Sequence, residues 1–352
     1  MSNSIQYIDQ TLGEGFARRL PQAALVIMAQ LLSELPITVM DVPFEQIKEK
    51  TDLLDPFQHM LRVRINSSAK EVAAVHDKGW TKVIIDYYHR PGQAIIPHLQ
   101  EALNKSQQLA MDVSLNLKNA STLSIDEIAA FFKQLGGAAL ASFIYSDSGS
   151  RLDPFTTYET ILGMQKCTAY PLEFYGYNRY GLATANALSA VRAGAERIAT
   201  AVAGVGAPGH AALEEVLLSA KYLLKRDTAL VTGLANRCAA ILTVMEEDIA
   251  VDKAVIGDNI FAHESGLHVY GIKKNPQIYE AFPPEVVGLA RHLVVGKHSG
   301  ATSLQIVLQE QGIHVNASVL QGLLKKVRQT VTTYKRSLSP SEVLNLCQCG
   351  GV

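Results

Sequence analysis

Eight short β-rich runs, each followed by a stretch with apolar residues at helical spacing, fill roughly the first 220 residues, and that repetition leaves few possible folds. The runs are Ile5–Ile8, Ile37–Val42, Met60–Ile65, Lys82–Asp86, Ala110–Leu115, Ala139–Ser146, Pro171–Tyr175 and Arg197–Val202. Helical spacing is clearest in Ile125–Leu135 and Ala211–Leu224. Strands that alternate with helices pair in parallel, either in an open doubly wound sheet or in a closed barrel. Eight even units match a (β/α)8 barrel. No G-x-G-x-x-G turn follows the first run to favour the open sheet. The expected class is α/β: a TIM barrel over residues 1–234, then a mostly helical C-terminal region over 235–352. In that second part Asp252–Gly300 is rich in Gly, His and Pro. The helical period returns in Thr302–Gln311 and Ala317–Lys335, and Ser339-Pro340 opens a last short helix. No low-complexity linker separates the parts.

Composition narrows the functional classes. Thirty-two Lys and Arg balance 33 Asp and Glu, for a net charge of −1. That leaves no basic stripe for a phosphate backbone, so nucleic acid is not expected as a partner. A hydrophobic content of 48% supports a sizeable core. No apolar run approaches the roughly 18 residues of a membrane span, and no basic-then-apolar segment opens the chain. A cytoplasmic protein without membrane contact is expected. Four cysteines are too few for a disulfide framework, and Cys347 and Cys349 are too closely spaced for a C-x-x-C pair.

In barrels of this kind chemistry gathers where the strands end. The charged residues there are Glu14, Lys118, Asp147, Arg179 and His210. No strand end offers two His, Asp or Glu at ligand spacing. Glu14 and His210 follow strands one and eight, which are neighbours in a closed barrel, so the two side chains can approach each other.

Several strings are more particular than a generic barrel: Asp9-Gln-Thr-Leu-Gly-Glu-Gly15, Phe174-Tyr-Gly-Tyr-Asn-Arg-Tyr-Gly-Leu-Ala-Thr-Ala-Asn-Ala-Leu188, Ala190-Val-Arg-Ala-Gly-Ala195, Ala211-Ala-Leu-Glu-Glu-Val216, Phe261-Ala-His-Glu-Ser-Gly-Leu-His268 and Gly296-Lys-His-Ser-Gly300. Together they resemble the homocitrate synthase and isopropylmalate synthase family, in particular the nitrogen-fixation type of homocitrate synthase. The resemblance implies a pyruvate carboxyltransferase/HMGL-like barrel. It also implies an acyltransferase that joins the methyl carbon of acetyl-CoA to a 2-oxo acid and hydrolyses the thioester. A divalent cation polarises the keto group in such a reaction. The family holds it with the acidic residue of an R-[DE]-G string after strand one and with a His-x-His after strand seven.

The departures from that pattern cluster at the catalytic mouth. Glu14 keeps the acidic ligand, but Gly13 stands where the oxo-acid arginine belongs, and Tyr175 and Tyr177 replace the His pair. A phenol is a poor ligand for magnesium, manganese or zinc at neutral pH. Arg179 replaces an Asp, Lys118 stands where a carboxylate is expected, and Ser148 takes the place of the oxo-acid threonine. The loop Gly204-Val-Gly-Ala-Pro-Gly-His210 is one residue short, with His210 in place of an asparagine. In the C-terminal region His268 and Tyr279 match the family pair that assists proton transfer on acetyl-CoA, closing over the partner's barrel in a dimer.

These residues admit two kinds of reading. Tyr175 and Tyr177 pack at the barrel rim, the preferred reading, or donate with Arg179 to an anion. Glu14 is an orphan ligand or, preferably, the ion-pair partner of Arg179 or Lys118. His210 caps its loop, also preferred, or serves as a new ligand. Expected substrate contacts are Ser148, Arg179 and Lys118; the only residual metal ligands are Glu14 and His210, so a divalent metal is not expected to bind tightly and no other cofactor is. The chain reads as a homocitrate-synthase-like protein whose ordinary condensation is lost or altered. The alternatives are an inactive subunit, in a homodimer or in a heterodimer with an intact homologue, or a binder of acetyl-CoA or a small carboxylate.

Overall fold

The computed structural model describes residues 4–49, 51–264, 275, 280–297, 299–310 and 312–348. Eight parallel strands form the first part: β1 (Gln6–Asp9), β2 (Val39–Pro43), β3 (Leu61–Asn66), β4 (Lys82–Tyr87), β5 (Asp112–Leu117), β6 (Ser142–Asp147), β7 (Leu172–Gly176) and β8 (Arg197–Ala201). Each strand pairs with the next, and β1 pairs with β8, so the sheet closes into the expected barrel. A ninth short strand, Ala211–Ala212, extends β8 pairing beyond the glycine-rich loop.

Helices cover the outside: α1 (Thr11–Ala17), α2 (Gln22–Ser33), α3 (Phe44–Ile47), α4 (Ala69–Asp77), α5 (Pro97–Gln108), α6 (Ile125–Gln134), α7 (Pro154–Gln165), α8 (Ala183–Ala193), α9 (Leu213–Tyr222) and α10 (Leu234–Val244). Their starts are chemically specified. Ser124 and Glu127 form a reciprocal capping box on α6, and Asp153 accepts from the Phe155 and Thr156 amides ahead of α7, whose first residue is Pro154. Strand residues alternate between the helix layer and the lumen. Leu61, Val63 and Ile65 are buried, while Arg62 and Arg64 between them point the other way, into the barrel.

The lower lumen is ionic. Strands β3 and β7 lie on opposite sides of a closed eight-stranded sheet, so a contact between them crosses the interior. Arg62 makes that crossing: it donates to Asp41 at 2.7 and 2.9 Å and to Glu173 at 2.6 and 2.7 Å. Ser114 accepts a further bond from Arg62, and Ser142 bonds to both Ser114 and Glu173. Arg62 is 3% exposed and Glu173 fully buried, so every one of these charges depends on its partner. Burial disfavours the Arg62 charge, but Asp41 and Glu173 outweigh it and hold the guanidinium protonated. Above this layer Ile84, Ile144, Tyr175 and Ala199 form a small apolar plug.

The chain divides into two compact units, Met1–Asp248 and Ile249–Val352. Helix α10 packs on α2 and counts with the barrel. In the second unit the helices Ala301–Glu310, Ala317–Tyr334 and Pro340–Gln348 enclose a core that includes Leu304, Leu308, Leu324, Val327 and Val343. Arg291 there grips Glu280 with two bonds of 2.7 Å. Among the described residues no helix is long and apolar enough to cross a membrane.

Candidate functional site at the barrel mouth

The first turn after β1 is held by Asp9. Its two carboxylate oxygens accept from the amides of Thr11 and Leu12, both at 3.0 Å, which starts α1 directly at the strand end. Complete burial pushes the Asp9 carboxyl up to about 6 despite those bonds. Helix α1 carries Gly13 and Glu14. A Cβ at position 13 would lie 2.9 Å from the Asp41 carbonyl oxygen, so α1 rests on β2 at a distance only glycine permits. Glycine at position 13 is therefore a requirement of the packing.

Glu14 meets His210, whose Nε2 lies 3.0 Å from Oε1 of the carboxylate. The ion-pair partners expected for Glu14, Arg179 and Lys118, are thus not the ones it takes. Arg179 is exposed on the loop after β7, and Lys118 lies 3.5 Å from Asp86. The physical reason is the closure of the barrel, which brings the loop after β8 beside α1. His210 is fixed by an antiparallel bridge to Tyr177 and by its own amide, which donates to the Gly204 carbonyl. The glycine loop covers the pair: a Cβ on Gly206, whose φ is +125°, would fall 2.9 Å from the His210 ring and 3.0 Å from the Glu14 carboxyl carbon.

Tyr175 and Tyr177 stack on each other with ring centroids 5.0 Å apart, and each lies 5.6 Å from the His210 ring. Tyr175 is buried in the lumen and not only at the rim. Desolvation, reinforced by Tyr177 and opposed by Arg64, raises its phenol well above the ordinary value, so it stays neutral at physiological pH. Arg64 is a cation beside the tyrosines, with its guanidinium carbon 5.5 Å from the Tyr175 ring centre.

Arg64 opens a second polar layer. It donates to Asp86 at 3.0 Å and sits 3.5 Å from Asp41. Asn116 donates to the same Asp86 oxygen at 2.7 Å, and Lys118 pairs with the other. Ser148 donates to the Lys118 carbonyl at 2.9 Å and lies exposed beside this cluster. Nη2 of Arg64, Oδ1 of Asn116 and Nδ1 of His210 are buried without a hydrogen-bond partner. Arg64, Asp86, Asp41 and Asn116 were not among the residues singled out from sequence. The signal for Arg64 was the alternation in Leu61-Arg62-Val63-Arg64-Ile65-Asn66, where every second residue of a helix-covered strand is polar. His268 and Tyr279 lie outside the described residues.

Comparison with known proteins places this chain in a family. Residues 66–237 match the HMGL-like family, and residues 255–335 match the family described as homocitrate synthase post-HMGL domain-like. Homocitrate synthase 1 of a Nostoc species is 41% identical over 219 residues, 62% of this chain and 58% of that protein. 2-Isopropylmalate synthase 2 of Caldanaerobacter subterraneus subsp. tengcongensis is 34% identical over 256 residues, 72% of this chain and 67% of that protein. Among solved structures, the HMG-CoA lyase from Brucella melitensis superposes with a TM-score of 0.59 at 12% identity, covering 69% of this chain and 98% of that one. The carboxyl transferase domain of Rhizobium etli pyruvate carboxylase gives 0.57 at 13% identity, covering 70% of this chain and 47% of that one. The structural neighbours show a TIM-barrel fold, and the family match over residues 66–237 is the HMGL-like one. Within it, the chain belongs to the homocitrate synthase and 2-isopropylmalate synthase family.

Proposed function

We propose that this protein is a homocitrate-synthase-like member of the acetyl-CoA and 2-oxo-acid condensing acyltransferases in which the divalent-metal route has been lost. The observation that carries this reading is the donor set at the mouth. Glu14 and His210 supply one carboxylate and one imidazole, already bonded to each other, and Tyr175 adds a phenol held neutral by burial. Among the described residues no group of three His, Cys, Asp or Glu side chains is placed to hold a metal ion. Hard divalent cations require several anionic or neutral O and N donors free to turn toward them. These residues do not fit such an ion. The packing of Gly13 against β2 supports the same reading, because it excludes the arginine that would clamp a 2-oxo acid.

The fixed charges that remain, Arg64 and Lys118 around Asp86, suit a small carboxylate held without metal. The retained strings around His268 and Tyr279 favour a second role, in which the chain dimerises and lends its lid to an intact homologue. The test is CoA release from acetyl-CoA with 2-oxoglutarate and other 2-oxo acids, with and without magnesium, manganese and zinc. The expected outcome is no metal-stimulated release. Robust metal-dependent turnover overturns the proposal. Co-expression with an intact homologue tests the second role: co-purification, with partner activity lowered by His268→Ala, is expected, and its failure refutes that role.

A further inference from the structure

The three side chains that stand at the family's metal-ligand positions, Glu14, Tyr175 and Tyr177, all converge on one ring. Nε2 of His210 is 3.0 Å from Glu14, and both tyrosine rings lie 5.6 Å from the imidazole centroid. That imidazole is 2% exposed, and the backbone of Gly206 closes against it and against the Glu14 carboxyl. The bridge from His210 to Tyr177, and the Asn178 amide donating to the Gly209 carbonyl at 3.1 Å, aim the ring inward from the backbone.

We infer that the imidazole of His210 fills the position of the family's divalent cation and is an internal substitute for it: a covalently attached group that ties Glu14 to the strand-seven tyrosines. The inference rests on the reading that the metal route is lost, and it names the residue that closes it. A metal bridges an acidic side chain to strand seven through coordination. Here a hydrogen bond to Glu14 and two ring contacts make the same bridge, and the space between them is full. The two tyrosines fit that role better than imidazoles would, because their rings give the buried His210 ring flat apolar faces.

Two variants of the full-length chain separate the plug from the ligand change. The first is Tyr175→His with Tyr177→His; the second adds His210→Asn. Both are titrated with Mn2+ by calorimetry and by the loss of the free-ion paramagnetic resonance signal. The expected result is one Mn2+ bound by the triple variant at least about tenfold more tightly than by the double variant, and loss of that binding on adding Glu14→Gln. Equal binding by the double and triple variants, or no binding by a folded triple variant, overturns the inference. A second measurement does not depend on metal or on the triple variant folding. His210→Ala leaves a ring-shaped space, so free imidazole is expected to raise its melting temperature and leave that of the unaltered protein unchanged. No rise in His210→Ala overturns the inference. Metal-stimulated CoA release by the unaltered protein instead overturns the function proposed above, so the two failures are read from different proteins.

Discussion

The barrel lumen holds two ionic layers that differ in how completely they are satisfied. In the lower layer Arg62 spends its guanidinium on Asp41, Glu173 and Ser114, and the surrounding hydroxyls close the network. In the upper layer Arg64, Asn116 and His210 each keep a buried polar atom without a hydrogen-bond partner, and Lys118 is half exposed. A closed network specifies structure, whereas open valences at a strand-end face are where a ligand gains by binding. The same residue types therefore carry different weight a few ångströms apart. The floor is a cross-brace, and the mouth is where buried polar atoms keep free hydrogen-bonding capacity.

Breaking the floor is expected to have the largest effect. Arg62→Met removes the cation that joins Asp41 to Glu173 and leaves Asp41 only the more distant Arg64, and stability should fall by about 3–5 kcal/mol. Urea denaturation measures this, and a loss below about 1 kcal/mol would show that the brace is not structural. Next comes Asp9, the buried carboxylate between β1 and α1. Its folded value near 6 lies above the ordinary 3.8, so its contribution is fully present below about pH 4 and is lost as pH rises through 6. The loss should reach about 3 kcal/mol by pH 7 and be absent from Asp9→Asn. Parallel stability profiles for the two proteins between pH 4 and 7.5 would contradict it. The smallest effect is expected at the mouth, where Lys118→Met removes a half-exposed partner of Asp86 and should change stability by no more than about 1 kcal/mol. A larger loss would make the mouth a second brace and erase the contrast.

The barrel was legible because its strands repeat one local pattern. All eight runs fall on observed strands, although Ala139–Ser146 begins before β6, which starts at Ser142. The reason is that Gly136 and Gly137 end the preceding helix in a turn, and the apolar residues just after them form an irregular connection to the strand. The mouth was legible residue by residue but not pair by pair. Glu14 and His210 were both visible, and neighbouring strand ends suggested that they could meet. Their bond joins residues 196 positions apart, and a single sequence holds no information on which of several nearby polar side chains wins such a contact. Arg64 was missed for a related reason. An arginine in a strand reads as solvent-facing until the closed topology puts helices on the other side and leaves only the lumen for it.

The cross-lumen bond also sets an order of events in assembly. Arg62 and Glu173 are separated by 111 positions, and their bond cannot form until β7 has docked opposite β3. Until then both charges keep their water, and any misregistered collapse that buries one without the other costs several kcal/mol. The brace therefore adds nothing to early, local contacts and rewards only the final closure, so it checks strand register instead of speeding the search.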